Sequence, residues 1–179
     1  MLYVPPISDY KPFYIQFGSG TAQDLLSVYS IIVKAHDYPS AWKIKEPYKN
    51  DWKDEDGDDE YIPANGFKIA AFTFHLECAM FARGVSDAAA IAELNEGIRA
   101  FQSAMQSGAF STYDAYTGFG FQNVRISEIQ NVSSDSYRVE DNQARVIFSV
   151  TLKVNDPVTR MVLDTNSQSS TYGQIIEAS

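Results

Sequence analysis

Cysteine is nearly missing from this chain. Cys78 stands alone among 179 residues, so no internal disulfide can form and nothing signals an oxidising compartment. Positive charge is scarce too. Fourteen Lys and Arg face 23 Asp and Glu, a formal net charge of −9. A nucleic-acid reader needs a basic stripe to displace counterions from phosphates, and this balance argues against one. The two histidines, His36 and His75, lie in unrelated segments, and with one cysteine they do not readily supply a zinc site. No stretch approaches the ~18 apolar residues that a membrane helix requires. The opening "MLYVPPISDY" lacks the basic start and apolar run of a signal peptide. The expectation is a soluble protein made in the cytoplasm.

Catalytic signatures are lacking as well. There is no Gly-x-Ser-x-Gly elbow. "FGSGTAQD" (17–24) is glycine-rich but has no Gly-Lys-Ser/Thr to hold a phosphate. "YTGFGFQ" (116–122) reads as a tight turn between strands, since no helix follows to bind an anion. Cys78 falls on the apolar face of a predicted strand, where a thiol is buried and inert. His75 falls on the polar face of the same strand, and His36 in a loop. The reading is a protein that is not an enzyme, with no catalytic residue, no cofactor and no metal.

What is present is apolar and aromatic. Hydrophobic residues make up 45% of the chain, with 11 Tyr and 11 Phe. That composition is globular, and the length can bury a core without staples. Aromatics favour strands. Pro5, Pro6 and Pro12 forbid a regular helix in residues 1–23, predicted to be an extended arm that orders only against a neighbouring subunit. Residues 25–35 read as a strand, with a short helix over Thr21–Leu26 as the alternative. In 40–47, Trp42 and Ile44 alternate with Lys43 and Lys45, predicting a half-buried strand. In 67–82, Phe72, Phe74, Leu76, Cys78 and Met80 share one face.

The period then changes. Ile91, Leu94, Ile98, Phe101 and Met105 recur at steps of three and four, the stripe of an amphipathic helix. Ser86 or Asp87 would cap its start, and Gly108 would end it in the left-handed conformation. Strands are predicted at 110–116, 121–130 and 143–154, with a hairpin turn at 131–136. Pro157 is expected to stop the last strand. The polar tail is expected to be loose. The class is α+β: a mainly antiparallel sheet, sandwich or barrel-like, with one long amphipathic helix packed on it. The divisions are an arm over 1–23, one domain over 24–165 and a flexible tail over 166–179.

One segment stands out. "WKDEDGDDEYIP" (52–63) places six carboxylates around Gly57 between Trp52 and Tyr61. A calcium-binding EF-hand loop with Gly57 at its sixth position would start at Trp52 and end at Pro63, the wrong residues at both ends. A charge run of this kind usually sits in water. Lys43, Lys45, Lys49 and Lys53 can pair with it locally, at ~0–1 kcal/mol per exposed pair. The candidate interaction surface is therefore Trp52, Asp54, Glu55, Asp56, Asp58, Asp59, Glu60 and Tyr61. The alternative of another class is a metal-binding or carboxylate-dependent enzyme using residues 54–60.

Three stretches in order resemble one family. They are "DLLSVYSIIVKAHDYPSAWKIKEP" (24–47) with "DEDGDDEYI" (54–62) after it, the strand 67–82 leading into "AAIAELNEGIRAFQSAMQSGAFSTYD" (89–114), and "YRVEDNQARVIFSVTLKVNDPVT" (137–159). Together they resemble the N-terminal domain of phage distal tail proteins (Dit) and, more broadly, tail-tube-like structural proteins. The likeness covers roughly residues 24–160. Where that family commonly carries glycine, this chain has Ser30. The resemblance implies a structural subunit of a phage or prophage virion tail. Its partners would be itself, in a ring that is usually hexameric, and other tail proteins. The charge balance and the lack of a long apolar run lead to the expectation of no sequence-specific nucleic-acid binding and no membrane. A tail-completion or terminator protein is the alternative within that class. An acidic surface suits such a ring, because it would let DNA pass without adhering.

Overall fold

The computed structural model describes residues 10–39, 43–47, 49–50, 59–61, 63–131 and 137–178, with only the backbone of 49, 50, 59, 60 and 131. Among them the order is β1 (Phe13–Phe17), β2 (Gln23–Asp24), α1 (Leu25–Tyr29), β3 (Ile31–His36), β4 (Lys49–Asn50) and β5 (Asp59–Glu60). There follow β6 (Phe72–Arg83), α2 (Asp87–Met105), β7 (Phe110–Asp114), β8 (Gly120–Asn131), β9 (Tyr137–Glu140), β10 (Gln143–Leu163) and β11 (Ile175–Glu177). Each strand pairing described is antiparallel, and strand outweighs helix, so the class is β-rich α+β.

The main sheet runs β2-β1-β7-β8-β10-β6-β3, with β9 and β11 also on β10. Its spine is the β6–β10 pair. Alternate residues of β10, from Ala144 through Val154, are buried. They stand opposite the buried face of β6, with Val146 across from Met80, Phe148 from Cys78, Val150 from Leu76 and Leu152 from Phe74. The side-chain period of two puts all of these on one face. Each such large side chain contributes roughly 1.5–3 kcal/mol by leaving water.

α2 covers that face. Ser86 caps it by accepting from Ala89 N at 3.2 Å, as its position in the sequence suggests. The buried line is Ala90, Leu94, Gly97, Phe101 and Met105. Ile91 and Ile98, expected in the stripe, are only half-buried, because the small Ala90 and Gly97 turn toward the sheet instead. The helix also stops earlier than expected. Gln106 ends it in right-handed conformation at φ −83, while Ser107 Oγ donates to Ala104 O; Gly108 lies beyond the end.

A second helix replaces the first half of the strand predicted at 25–35. Asp24 Oδ1 accepts from Leu26 N, which starts α1, and Ser30 at φ 53 ends it, its N–H donating to Leu26 O. Leu25 and Leu26 are both buried, which adjacent residues of a half-buried strand cannot achieve on one face. β2 and β3 are the two ends of the sheet path, yet little more than α1 separates them in the chain. A five-residue helix spans about 7.5 Å. The sheet therefore curls until its ends approach each other, with α1 across the gap.

Four further expectations are corrected. The stretch assigned to an arm contains β1, whose Phe13 and Ile15 are buried in the core of the same chain; residues 1–9 lie outside the described residues. Pro12 bars a helix but not a strand beginning at the next residue. The polar tail is folded: β11 pairs with Met161–Leu163, and Asp164 organises the turn before it by accepting from Thr171 Oγ1 and Asn166 N. Within 40–47, Ile44 makes a single bridge to Ile69 and is exposed, not half-buried in a strand; Ser40–Trp42 lie outside the described residues.

Finally, β10 does not stop at Pro157. β6 leaves it at Val154, and on its other edge the register jumps from Asp156 opposite Gln122 to Arg160 opposite Phe121. Pro157, which cannot donate, sits in that bulge, where no partner needs its nitrogen. The turn predicted at 131–136 falls mostly outside the described residues. A hairpin not foreseen joins β9 to β10 through Asp141 (φ 52) and Asn142 (φ 62). Two left-handed residues are the mark of a type I′ turn.

Candidate interaction surface

Of the acidic segment, Trp52, Asp54, Glu55, Asp56 and Asp58 lie outside the described residues. Asp59 and Glu60 form β5, paired with β4 as Asn50 to Asp59 and Lys49 to Glu60, a ribbon separate from the main sheet. Tyr61 is 66% exposed just after it. Among the described residues, no cluster of three or more His, Cys, Asp or Glu is arranged to hold a metal ion.

Two surface features were not legible in the sequence. The first is the seam where the curled sheet does not close. Among the described residues, β3 pairs with β6 on one side only. Beside its outer edge lies a groove of about 420 Å³, bounded by Tyr10, Phe13, Lys34, His36, Asp114 and Tyr116. Tyr10 Oη donates to Asp24 Oδ1 at 2.6 Å, and burial, together with that carboxylate, pushes its phenol far above the ordinary value. His36 and Asp114 cross the seam, with Nδ1 and Oδ2 3.5 Å apart. Asp37, next along, accepts from His75 N and faces His75 Nδ1 at 2.7 Å.

The second feature is an aromatic pocket of about 320 Å³ at the end of the seam. The β10 bulge builds one wall from Pro157, Val158 and Thr159, with Arg160 at its rim. The other walls are Phe72, Phe119 in the β7–β8 turn and Phe121 at the start of β8. Tyr38 stands in the middle, its ring 4.8 Å from Phe74, 5.2 Å from Phe119 and 5.9 Å from Phe121. Burial pushes the Tyr38 phenol far up, reinforced by the charge of the Asp114 carboxylate.

Asp114 thus organises the site. It is 4% exposed, and it accepts from Tyr116 N and Thr117 Oγ1, each at 2.8 Å. Those bonds fix the turn that presents Phe119. The glycine-bearing stretch 116–122 is the tight turn its sequence suggests. Phe119 remains 49% exposed and Val158 70% at the pocket, while Tyr116, 74% exposed, lies by the seam groove.

Cys78, read as inert, is fully buried, and burial pushes its thiol far above the ordinary range. A third cavity of about 180 Å³ lies under α2, lined by Ile98, Phe101, Gln102, Ile129 and Phe148 among others. It carries no ionisable side chain. No protein-family model matches the chain, and no curated protein sequence matches it.

Proposed function

We propose that this chain is a structural subunit of a phage or prophage tail that acts by self-association into a ring and by contact with neighbouring tail proteins. The observation that carries the reading is the outer edge of β3, which pairs with no second strand among the described residues. A strand at the end of a sheet offers unpaired N–H and C=O groups to another chain unless something blunts them. In a closed ring each copy's edge meets the next copy's surface, so no edge is left over. α2 serves in this reading as the one long amphipathic helix that covers the sheet and leaves the seam to the neighbours. The resemblance over residues 24–160 supports the tail assignment, and the acidic composition suits a subunit that must not hold DNA.

Light scattering and negative-stain microscopy over a range of protein concentration test it. The expected result is a discrete ring that grows in with concentration. Ile32→Lys places a charge on the β3 edge and should abolish the ring while leaving the melting temperature of the subunit nearly unchanged. A wild-type chain that stays a single subunit throughout, or a ring untouched by Ile32→Lys, would remove the reading.

A further inference from the structure

We infer that the aromatic pocket beside the seam is a socket for an extended proline-containing segment, and that its occupant is the Tyr3–Asp9 stretch of a second copy. The inference deepens the self-association reading above and names the contact it would use.

The pocket has the composition of a polyproline-II binding surface. Such segments dock in grooves lined by aromatic rings, because a proline ring presents a flat apolar face and the segment is already extended before it binds. Here Tyr38, Phe119 and Phe121 form a continuous aromatic floor with centroids 5.2–6.3 Å apart. Tyr38 is packed against the rings of Phe74, Phe119 and Phe121, so little side-chain entropy is lost on binding. Pro157 stiffens the opposite wall. Phe119 is half-exposed in the isolated chain, so the socket stands open.

The occupant is argued from its sequence, Tyr3-Val4-Pro5-Pro6-Ile7-Ser8-Asp9. Pro6 biases Pro5 away from the helical region, and Pro5 does the same to Val4, so the segment is pre-set toward the extended form the socket needs. Tyr3, Val4 and Ile7 supply apolar anchors. Charge matches as well. Asp9 is the segment's acidic side chain, and Arg160 at the pocket rim forms no ion pair with any described residue.

The test uses the full chain and a synthetic peptide of residues 1–9 with an amidated end, followed by titration calorimetry at a concentration where the chain is a single subunit. Saturable one-to-one binding is expected. Phe119→Ala in the chain should weaken it by about tenfold, as expected for loss of a central aromatic anchor. A peptide with Pro5→Ala and Pro6→Ala should lose a similar factor against the wild-type chain, a comparison that holds even if the Phe119 variant folds poorly. Arg160→Ala should weaken binding by only about twofold to fivefold, because a rim charge is screened. No binding to the wild-type chain, or equal binding by the proline-free peptide, overturns the socket. Binding without ring formation at any concentration would keep the socket and remove the ring; rings without peptide binding would do the reverse.

Discussion

His36 on β3 and Asp114 at the end of β7 face each other across the open seam, Nδ1 to Oδ2, at 3.5 Å. They sit on strands that are not neighbours in the sheet path, so the contact exists only because the sheet curls. Asp114 also accepts from the Tyr116 amide and the Thr117 hydroxyl. Asp114→Ala would leave these donors without a partner at a buried position, a loss of roughly 2–4 kcal/mol. Chemical denaturation should show that drop, together with increased exposure of tyrosine at the pocket. His36→Ala, which removes the 3.5 Å contact and the ring contacts with Tyr38 and Tyr116 but leaves no buried donor unpaired, should cost less, about 1 kcal/mol. Equal effects of the two changes would mean that Asp114 does not organise the site.

The helix offers a sharper test of packing. Leu94 is fully buried against the sheet, whereas Ile98 is half-exposed. Leu94→Ala should destabilise by ~2–5 kcal/mol, the usual range for a cavity made in a core. Ile98→Ala should lower stability by about 1 kcal/mol, since part of its surface already meets water. Urea midpoints of the two variants give the comparison. Similar losses would put the helix face about one position away from where the structure has it.

Much of this core is readable from the sequence. The alternation from Ala144 to Val154 and from Phe74 to Met80 has one explanation, a strand buried on one face. The i, i+3, i+4 spacing after Ser86 has one as well. What escapes is set by local caps or by groups far apart in the chain. α1 depends on a cap at Asp24 and a left-handed Ser30, which override the β-branched composition around them. β11 is too short to show a period and forms because Gln16 Oε1, in β1, accepts from the Ile175 amide. The aromatic pocket gathers Tyr38, Phe72, Phe119 and the 157–160 bulge, which no spacing rule connects. The candidate acidic segment was visible as composition alone.

That late contact yields a prediction. Gln16→Leu removes the acceptor for Ile175 N and leaves a buried amide unpaired, a loss of roughly 1–3 kcal/mol. The effect should be local. Hydrogen exchange at Ile175–Glu177 should quicken strongly, while exchange in β6 and the middle of β10 changes only with global stability. Unchanged protection of β11 would show that its pairing to Met161–Leu163 suffices without Gln16.

Acid should loosen the same end of the molecule. Burial alone would raise the Asp156 pKa. Hydrogen bonds from the side chains of Gln122 and Thr159 and from the amides of Thr159 and Val158 outweigh it and leave the carboxyl below its ordinary value. At Asp164 the hydroxyls of Thr171 and Ser169 and the Asn166 amide act in the same direction. A folded-state value below the unfolded one means that each carboxylate stabilises the fold above the unfolded value of 3.8 and loses that contribution as pH falls through the folded value. Thermal melts should therefore decline between about pH 5 and pH 3. The Asp156→Asn, Asp164→Asn double variant should melt lower at pH 7 and decline less steeply. A parallel slope would assign the acid sensitivity to other groups.

Gly120 provides the most direct test of the chain path around the bulge. It begins β8 and pairs with Tyr113, and the backbone of Met161 passes beside it so closely that an added Cβ would lie 2.3 Å from Met161 O and 2.8 Å from its carbonyl carbon. The atoms met are main chain, pinned by the β10–β11 pairing on the other side, so no side-chain rotation relieves the clash. Gly120→Ala must then push β10 away from β8 at the place where the pocket wall forms. The expected loss is on the order of 2–4 kcal/mol, with altered chemical shifts at Phe119, Phe121 and Val158–Met161. Gly118→Ala is the control. Its added carbon would meet nothing within 4 Å, and its penalty comes only from φ 73, about 1–2 kcal/mol in the left-handed region. If Gly120→Ala proved milder than Gly118→Ala, β10 could not lie where the bulge places it, and the aromatic pocket would lose its second wall.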